Sequence, residues 1–297
     1  MAFVGQTTFF QACSLQAPAA GLIPRFFEFR AGGDGEALLA DLRSFVPHIA
    51  IVFRPEVVPP GLFGELAAVT LGFLSEPLPR GDDAHADLQR RMRDLRQTDA
   101  ANFDRVVSFD PLIAATAGEV LAIWRSLALP VADRFFAPVT PMGHPPRVLF
   151  VGRSTPHREW LLAPVKLDHD LLHVAFGMSG DELAELMHRH DVALNLHNEN
   201  YPSFENRVSL HLAAGHLVIS EALDPQHGLE PGIDYLQVNN ASELRRALNV
   251  VARFPRVHHR VRVRGRRKAE GFRASRVYPR LIADLLADVD AFGSPRS

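Results

Sequence analysis

The sequence predicts an α/β protein made of two Rossmann-like domains facing across a cleft, and three observations carry that expectation. Short apolar runs alternate with helical stretches along the chain, which is the pattern of parallel sheets covered by helices. Its 297 residues are about twice the ordinary size of one domain. Near the middle the alternation is broken by Ala137–Pro146 (APVTPMGHPP), whose four prolines can continue neither helix nor strand. Two such sheets hold ligands at the carboxyl ends of their strands.

In the first half the apolar runs Ala2–Gly5, Arg25–Phe29, Ile49–Phe53, Ala68–Leu74 and Arg105–Phe109 read as strands. Between them, Glu36 to Phe45 places Leu38, Leu39, Leu42 and Phe45 on one helical face. Residues 82–97 (DDAHADLQRRMRDLRQ) are far more polar, without a wide apolar face, and read as an exposed helix or a mobile excursion. After the proline-rich segment the alternation restarts at Arg147. Helices over 156–166, 180–190, 205–214 and 241–253 are expected between strands over 147–151, 171–176, 191–197, 216–220 and 234–238. The expected domains are 1–143 and 144–275, with a final helix from 276 that returns to the first.

Composition narrows the function. Hydrophobic residues make up 47% and charged residues 22%, with a net charge of -2, so neither a disordered chain nor a general nucleic-acid coat is expected. One cysteine, Cys13, allows no internal disulfide and no multi-cysteine metal site. No apolar run is long enough to span a membrane, and the first residues lack the basic start of a signal peptide. A cytoplasmic location is expected. The histidine pairs His169/His173, His188/His190 and His258/His259 each lack a third ligand nearby in sequence, and no metal is expected. From 253 to 280, eleven residues are Lys or Arg and only Glu270 is acidic, which reads either as a polyanion contact or as solvated helices paired with acids elsewhere.

Two stretches could carry chemistry. In Phe150-Val-Gly-Arg-Ser-Thr-Pro-His-Arg158, a strand runs into Gly152, which lets backbone approach a ligand, and then into a helix that Pro156 could open. Arg153 and Arg158 add two cations suited to phosphate oxygens, with a helix N-terminus beside them. This outlines a diphosphate cradle, although neither the Walker nor the dinucleotide spacing is present. The second stretch runs from Asp191 to Glu221. It joins the strand DVALNLH, ending at His197, to a polar loop, a helix after Ser203, the small residues Ala213, Ala214 and Gly215, and another buried strand. A turn-rich loop, Pro225 to Gly232, follows.

From Phe150 to about Asn249 the chain resembles the C-terminal domain of group-1 glycosyltransferases of the GT-B fold. It is most similar to their spore-maturation-protein-like (CgeB-type) branch. The likeness rests on F-V-G-R with a second Arg at 158, D-V-A-L-N-L-H, F-E-N-R-V, L-A-A-G-H-L-V-I-S-E, and L-E-P-G-I-D-Y-L before a Ser-Glu-Leu helix. It implies a nucleotide-sugar donor, bound as substrate with no cofactor. Gly152, Arg153 and Arg158 would hold the diphosphate. His197, Asn206 and Arg207 would lie beside the nucleotide or sugar, and His227, Gly228, Leu229 and Glu230 would border the base or ribose. The family's paired glutamates fall on Pro202 and Leu210 here, so Ser209 or His211 is expected to substitute.

Two cations can stabilise a leaving diphosphate without metal, and an inverting reaction needs a general base. The candidates at strand ends of the first domain are Glu56, Glu76 and Asp110, the last also placed to cap a helix before Pro111. The acceptor (sugar, lipid, peptide or small molecule) is left open. The alternatives are a former transferase kept as a non-catalytic binding module, and a nucleotide-sugar epimerase of the same fold.

Overall fold

The computed structural model describes residues 1–80, 85–175, 178 and 180–296. Residues 82–84 of the polar stretch and Phe176 of the expected 171–176 strand lie outside them. The chain divides into two compact units, Met1–Pro130 with Ala274–Ser297, and Val131–Arg273.

The first unit contains β1 (Ala2–Gly5), α1 (Thr7–Phe10), β2 (Arg25–Glu28), α2 (Gly35–Phe45), β3 (Ile49–Phe53), β4 (Val69–Leu74), α3 (Ala86–Leu95), β5 (Arg105–Ser108), α4 (Ala114–Gly118) and β6 (Ile123–Ser126). Its six strands are all parallel, in the order β2-β1-β3-β4-β5-β6. Central strands are covered on both faces and so read as unbroken apolar runs; all five residues of β3 are buried. The edge strand β6 is only half-buried, joins with an irregular register, and has no such run to announce it.

Helix α2 starts because the Asp34 side chain accepts from Ala37 N at 3.0 Å, and it buries Leu38, Leu39 and Leu42. Within the polar stretch, Ala86–Leu95 takes the helical one of the two expected forms, but not a wholly exposed one. Its α3 buries Leu88, Met92 and Leu95, a narrow stripe at i, i+4 and i+7.

The second unit contains β7 (Val148–Val151), α5 (Pro156–Leu162), β8 (Leu171–Val174), α6 (Gly180–His188), β9 (Val192–Asn195), α7 (Asn206–Ala213), β10 (Leu217–Ser220), β11 (Leu236–Gln237), α8 (Ala241–Arg253) and α9 (His259–Ala269). Its five strands are again parallel, in the order β11-β10-β9-β7-β8. Asn240 accepts from Glu243 N at 2.9 Å while Glu243 accepts from Asn239 N at 2.8 Å, a reciprocal cap that fixes the start of α8. In α9, Gly265 is required by a close approach: a Cβ there would lie 2.4 Å from Asp234 O and 2.6 Å from Leu212 Cδ2.

The proline-rich segment lies inside this unit. Arg262 donates to Thr140 O at 2.9 Å and Arg266 to Ala137 O at 2.7 Å, while the Asp191 carboxylate accepts from Gly143 N and Arg147 N. Prolines leave carbonyls without strand partners, and the buried Arg262 and half-buried Arg266 satisfy them. The unit's two ends meet: Val131 N donates to Phe272 O at 2.7 Å, and Val131 forms a parallel bridge with Arg273.

The chain then enters α10 (Ala274–Phe292), which belongs to the first unit. It buries Tyr278, Leu281, Ile282 and Leu285 in that unit's core. The Tyr278 ring meets Phe3 edge-on at 4.8 Å, and its hydroxyl donates to Cys13 O.

Candidate functional site

Each sheet reverses its strand order once, which opens a crevice at the carboxyl ends of two neighbouring strands. In the second unit the reversal lies between β7 and β9. Val151 leads there into Gly152, and Asn195 leads into Leu196 and His197.

Gly152 sits against two guanidinium groups. A Cβ at this position would lie 2.9 Å from Arg207 Nη1 and 3.3 Å from Arg158 Nη1. Arg207 donates from Nη1 to Val151 O at 3.0 Å, from Nη2 to Leu196 O at 2.8 Å and from Nε to Asn195 Oδ1 at 2.7 Å. It therefore ties both strand ends together. Arg158, 3% exposed, donates from Nε to Leu196 O at 3.0 Å and from Nη1 to Arg153 O at 3.0 Å. Both cations lie about the buried Phe150 ring, 5.5 and 5.6 Å from its centroid.

Glu205, immediately before α7, ion-pairs with Arg207 and lies 3.5 Å from Arg158 Nη2 and 3.8 Å from His197 Nδ1. Burial works against its charge, but Arg207, His197 and Arg158 hold its carboxyl down to about 2. Burial first, then neighbouring Arg207, pulls Arg158 down to about 10. With two arginines to one carboxylate, the cluster keeps a net positive charge at neutral pH. His197, 3% exposed, donates from its backbone N to Glu221 Oε2 at 2.7 Å, and Glu221 Oε1 meets His157 Nε2 at 2.7 Å. Ala222 O can only accept, so the 2.8 Å contact from His197 Nε2 fixes the proton on that nitrogen.

The expected donor residues separate into those at the crevice and those away from it. Arg153 is exposed beside Gly152 and donates to Asn198 Oδ1 at 3.0 Å. Arg158, expected to face a phosphate, is instead occupied by two carbonyls and Glu205. Asn206 opens α7 half-buried. Ser209 and His211 are corrected: both lie in the core. Ser209 is fully buried and donates to Asn206 O at 2.9 Å. His211, 1% exposed, stacks on His216 with their Nδ1 atoms 3.1 Å apart.

In the following loop, His227 meets the Phe204 ring edge-on at 4.6 Å. Leu229 is buried, while Gly228 and Glu230 are exposed. Gly228 O accepts from Lys268 Nζ at 2.6 Å.

Sequence reasoning gave no role to Glu205, Glu221, His157, Asn195 or Asn198. Glu205 stands in plain view in F-E-N-R and Glu221 at the end of L-V-I-S-E, but their partners come from the segments that follow β7 and β9.

In the first unit the reversal lies between β1 and β3. Glu56 follows β3, 5% exposed, with Oε1 accepting from Arg54 Nε at 2.8 Å and Oε2 buried without a hydrogen-bond partner among the described residues. Burial, the largest cause, raises its carboxyl above the usual range despite Arg54. Glu76, after β4, lies 3.7 Å from Arg54 Nε and 3.0 Å from Arg91 Nη1. Asp110 accepts from Leu112 N at 2.8 Å and pairs with Arg80 at 2.8 Å, which makes it the cap its position before Pro111 suggested.

No family model matches the chain, and no curated protein sequence matches it. Solved structures do. Anabaena HepE in complex with UDP-glucose superposes with a TM-score of 0.60 at 12% identity, over 97% of this chain and 99% of that one. Sucrose-phosphate synthase from Thermosynechococcus elongatus gives 0.57 at 15% identity, over 96% and 89%. A glycosyltransferase from Rickettsia africae gives 0.55 at 10%, over 96% and 98%. The fold is GT-B. Both sheets of this GT-B chain thus take part in the likeness, and the Gly152 crevice belongs to its second unit.

Proposed function

We propose that the protein is a glycosyltransferase that moves a sugar from a nucleoside-diphosphate donor, without metal, to an acceptor hydroxyl, in the cytoplasm. The observation that carries this reading is the β7/β9 crevice, where the exposed Arg153 follows Gly152 and the Arg158–Arg207 pair lies immediately behind. A diphosphate seated there gains Arg153 directly and the field of the buried pair through a low-dielectric layer. Arg158 and Arg207 then act by holding Val151, Arg153 and Leu196 in place. HepE, with UDP and UDP-glucose in its structures, makes a UDP-sugar the first donor to try. The CgeB-type branch is our reading of the motif string.

For the acceptor we assign Glu56 as the base, because it stands at the reversal point of its sheet with one carboxylate oxygen uncommitted and a raised proton affinity.

Thermal unfolding with UDP, GDP, dTDP and ADP tests the donor site. One diphosphate should raise the midpoint and Arg153→Ala should remove most of that rise. An identical melt with all four would overturn the reading. The missing glutamate pair, with Leu210 and Pro202 in its places, favours a second reading, a binding module without turnover. Slow hydrolysis of a bound donor above the buffer rate separates a transferase from that module.

A further inference from the structure

The region that donor binding leaves unexplained is the basic run of the second unit. Between Leu244 and Ala269 there are ten Lys or Arg residues and no acid. Several are structural: Arg262 and Arg266 hold the proline-rich segment, Arg245 pairs with Asp168, and Lys268 lies 3.7 Å from Glu230 and Asp234. Arg253, Arg256 and Arg260 are different. All three are exposed, and none forms an ion pair among the described residues.

They surround the turn from α8 to α9. Val257 N donates to Phe254 O at 3.0 Å, so the turn is closed by its own backbone. It holds Phe254 and Val257 outward, each 55% exposed. The Arg253 guanidinium lies over the Phe254 ring, 5.4 Å from its centroid. Next to the turn, an open depression of about 450 Å³ is lined by Arg245, Arg246, Asn249, Arg253 and Phe254. An apolar tip, a collar of unpaired arginines and a cationic depression of headgroup size therefore occupy one end of α8.

We propose that this turn docks on an anionic bilayer, with Phe254 and Val257 entering the interface and Arg253, Arg256 and Arg260 meeting lipid phosphates. Charge complementarity selects a negative surface, and the paired apolar side chains select a lipid one. A nucleic acid would use the arginines and the ring, but has no use for an exposed valine. The proposal does not depend on the donor reading.

The test is co-sedimentation of the full chain with vesicles of phosphatidylcholine alone or with added phosphatidylglycerol. Binding is expected only to the anionic vesicles, weakening as salt is raised. Each arginine near such a surface accounts for about a fivefold change in partition. R253Q/R256Q/R260Q should therefore lower binding by about a hundredfold, and F254S/V257S should lower it with every charge retained. All five positions are exposed, so unchanged melting confirms that the variants fold. Three results would overturn the proposal: no binding to anionic vesicles, equal binding to neutral ones, or binding that F254S/V257S leaves intact. Tight binding to a DNA duplex that also ignores F254S/V257S would make the patch a polyanion site instead.

Discussion

Arg158 and Arg207 donate to one and the same acceptor, the Leu196 carbonyl oxygen, at 3.0 and 2.8 Å. Two like charges converge there because Glu205 lies between them and because Leu196 has just left its strand with a carbonyl to satisfy. The arrangement ties the ends of β7 and β9 together at the crevice.

Arg158→Ala is accordingly expected to act on folding. Breaking a buried cluster by removing one partner costs about 3–5 kcal/mol, and urea unfolding should show a loss of that order with or without nucleotide. Arg153→Ala removes an exposed cation and should leave the midpoint within about 0.5 kcal/mol, yet abolish most of the nucleotide-induced rise. The reverse pattern would make Arg158 the ligand contact.

Gly265→Ala should invert the usual rule for helices. In an open helix that change stabilises by about 1 kcal/mol. Here the new Cβ meets Asp234 O and Leu212, and overpacking of this kind costs about 1–3 kcal/mol. Gly118→Ala, with nothing within 4 Å of the added atom, is the matched control in a short helix and should not destabilise. Equal unfolding midpoints for the two variants would contradict the close approach of α9.

Acid should weaken the second unit in two stages. Burial first, with an opposing contribution from Met187 O, takes His216 from 6.5 to about 4, and burial together with His216 lowers His211 well below its ordinary value. A depressed folded value means that the unfolded chain binds the proton more readily. The associated stability is therefore complete above about pH 6.5 and is lost as pH falls toward 4, at up to about 1.4 kcal/mol per pH unit for each group. Glu205, held at about 2, adds a loss of the same sign below about pH 4.5. Urea midpoints measured from pH 7.5 to 4 check this, and a flat profile would refute the buried neutral histidine pair.

Glu56→Gln has an effect of the opposite sign. A carboxyl raised by burial contributes stability below its unfolded value of about 4.5 and loses it as pH climbs through the folded one. At pH 7.5 the amide should leave stability unchanged or increase it. If Glu56 is the base, donor-dependent transfer should fall by about 10²–10⁴-fold while nucleotide binding stays intact. Full transfer activity in this variant would return the assignment to Glu76 or to a group elsewhere.

The strands most readily found in the sequence are those buried on both faces. Ile49–Phe53 and Ala2–Gly5 were legible to the residue, because a central parallel strand needs no alternation. The half-buried β6 was not, and the three buried positions of α3 were hidden among charges. At the candidate site, Gly152 and Arg153 could be found because strand, glycine and cation are consecutive. The surroundings of Arg158 are not legible, since sequence spacing does not disclose that Leu196, Arg153 and Glu205 meet its donors. Ser209 and His211 are placed in the core for a related reason: α7 is buried at every position from Val208 to Ala213, and a count from Gly215 gives position along a helix but not its burial.

The bridge between Val131 and Arg273 has a practical corollary. Both severed ends of the 131–273 segment would emerge side by side, so this half could be excised as a cassette, exchanged for a counterpart of the same fold, or reopened elsewhere with its old termini fused by a short linker.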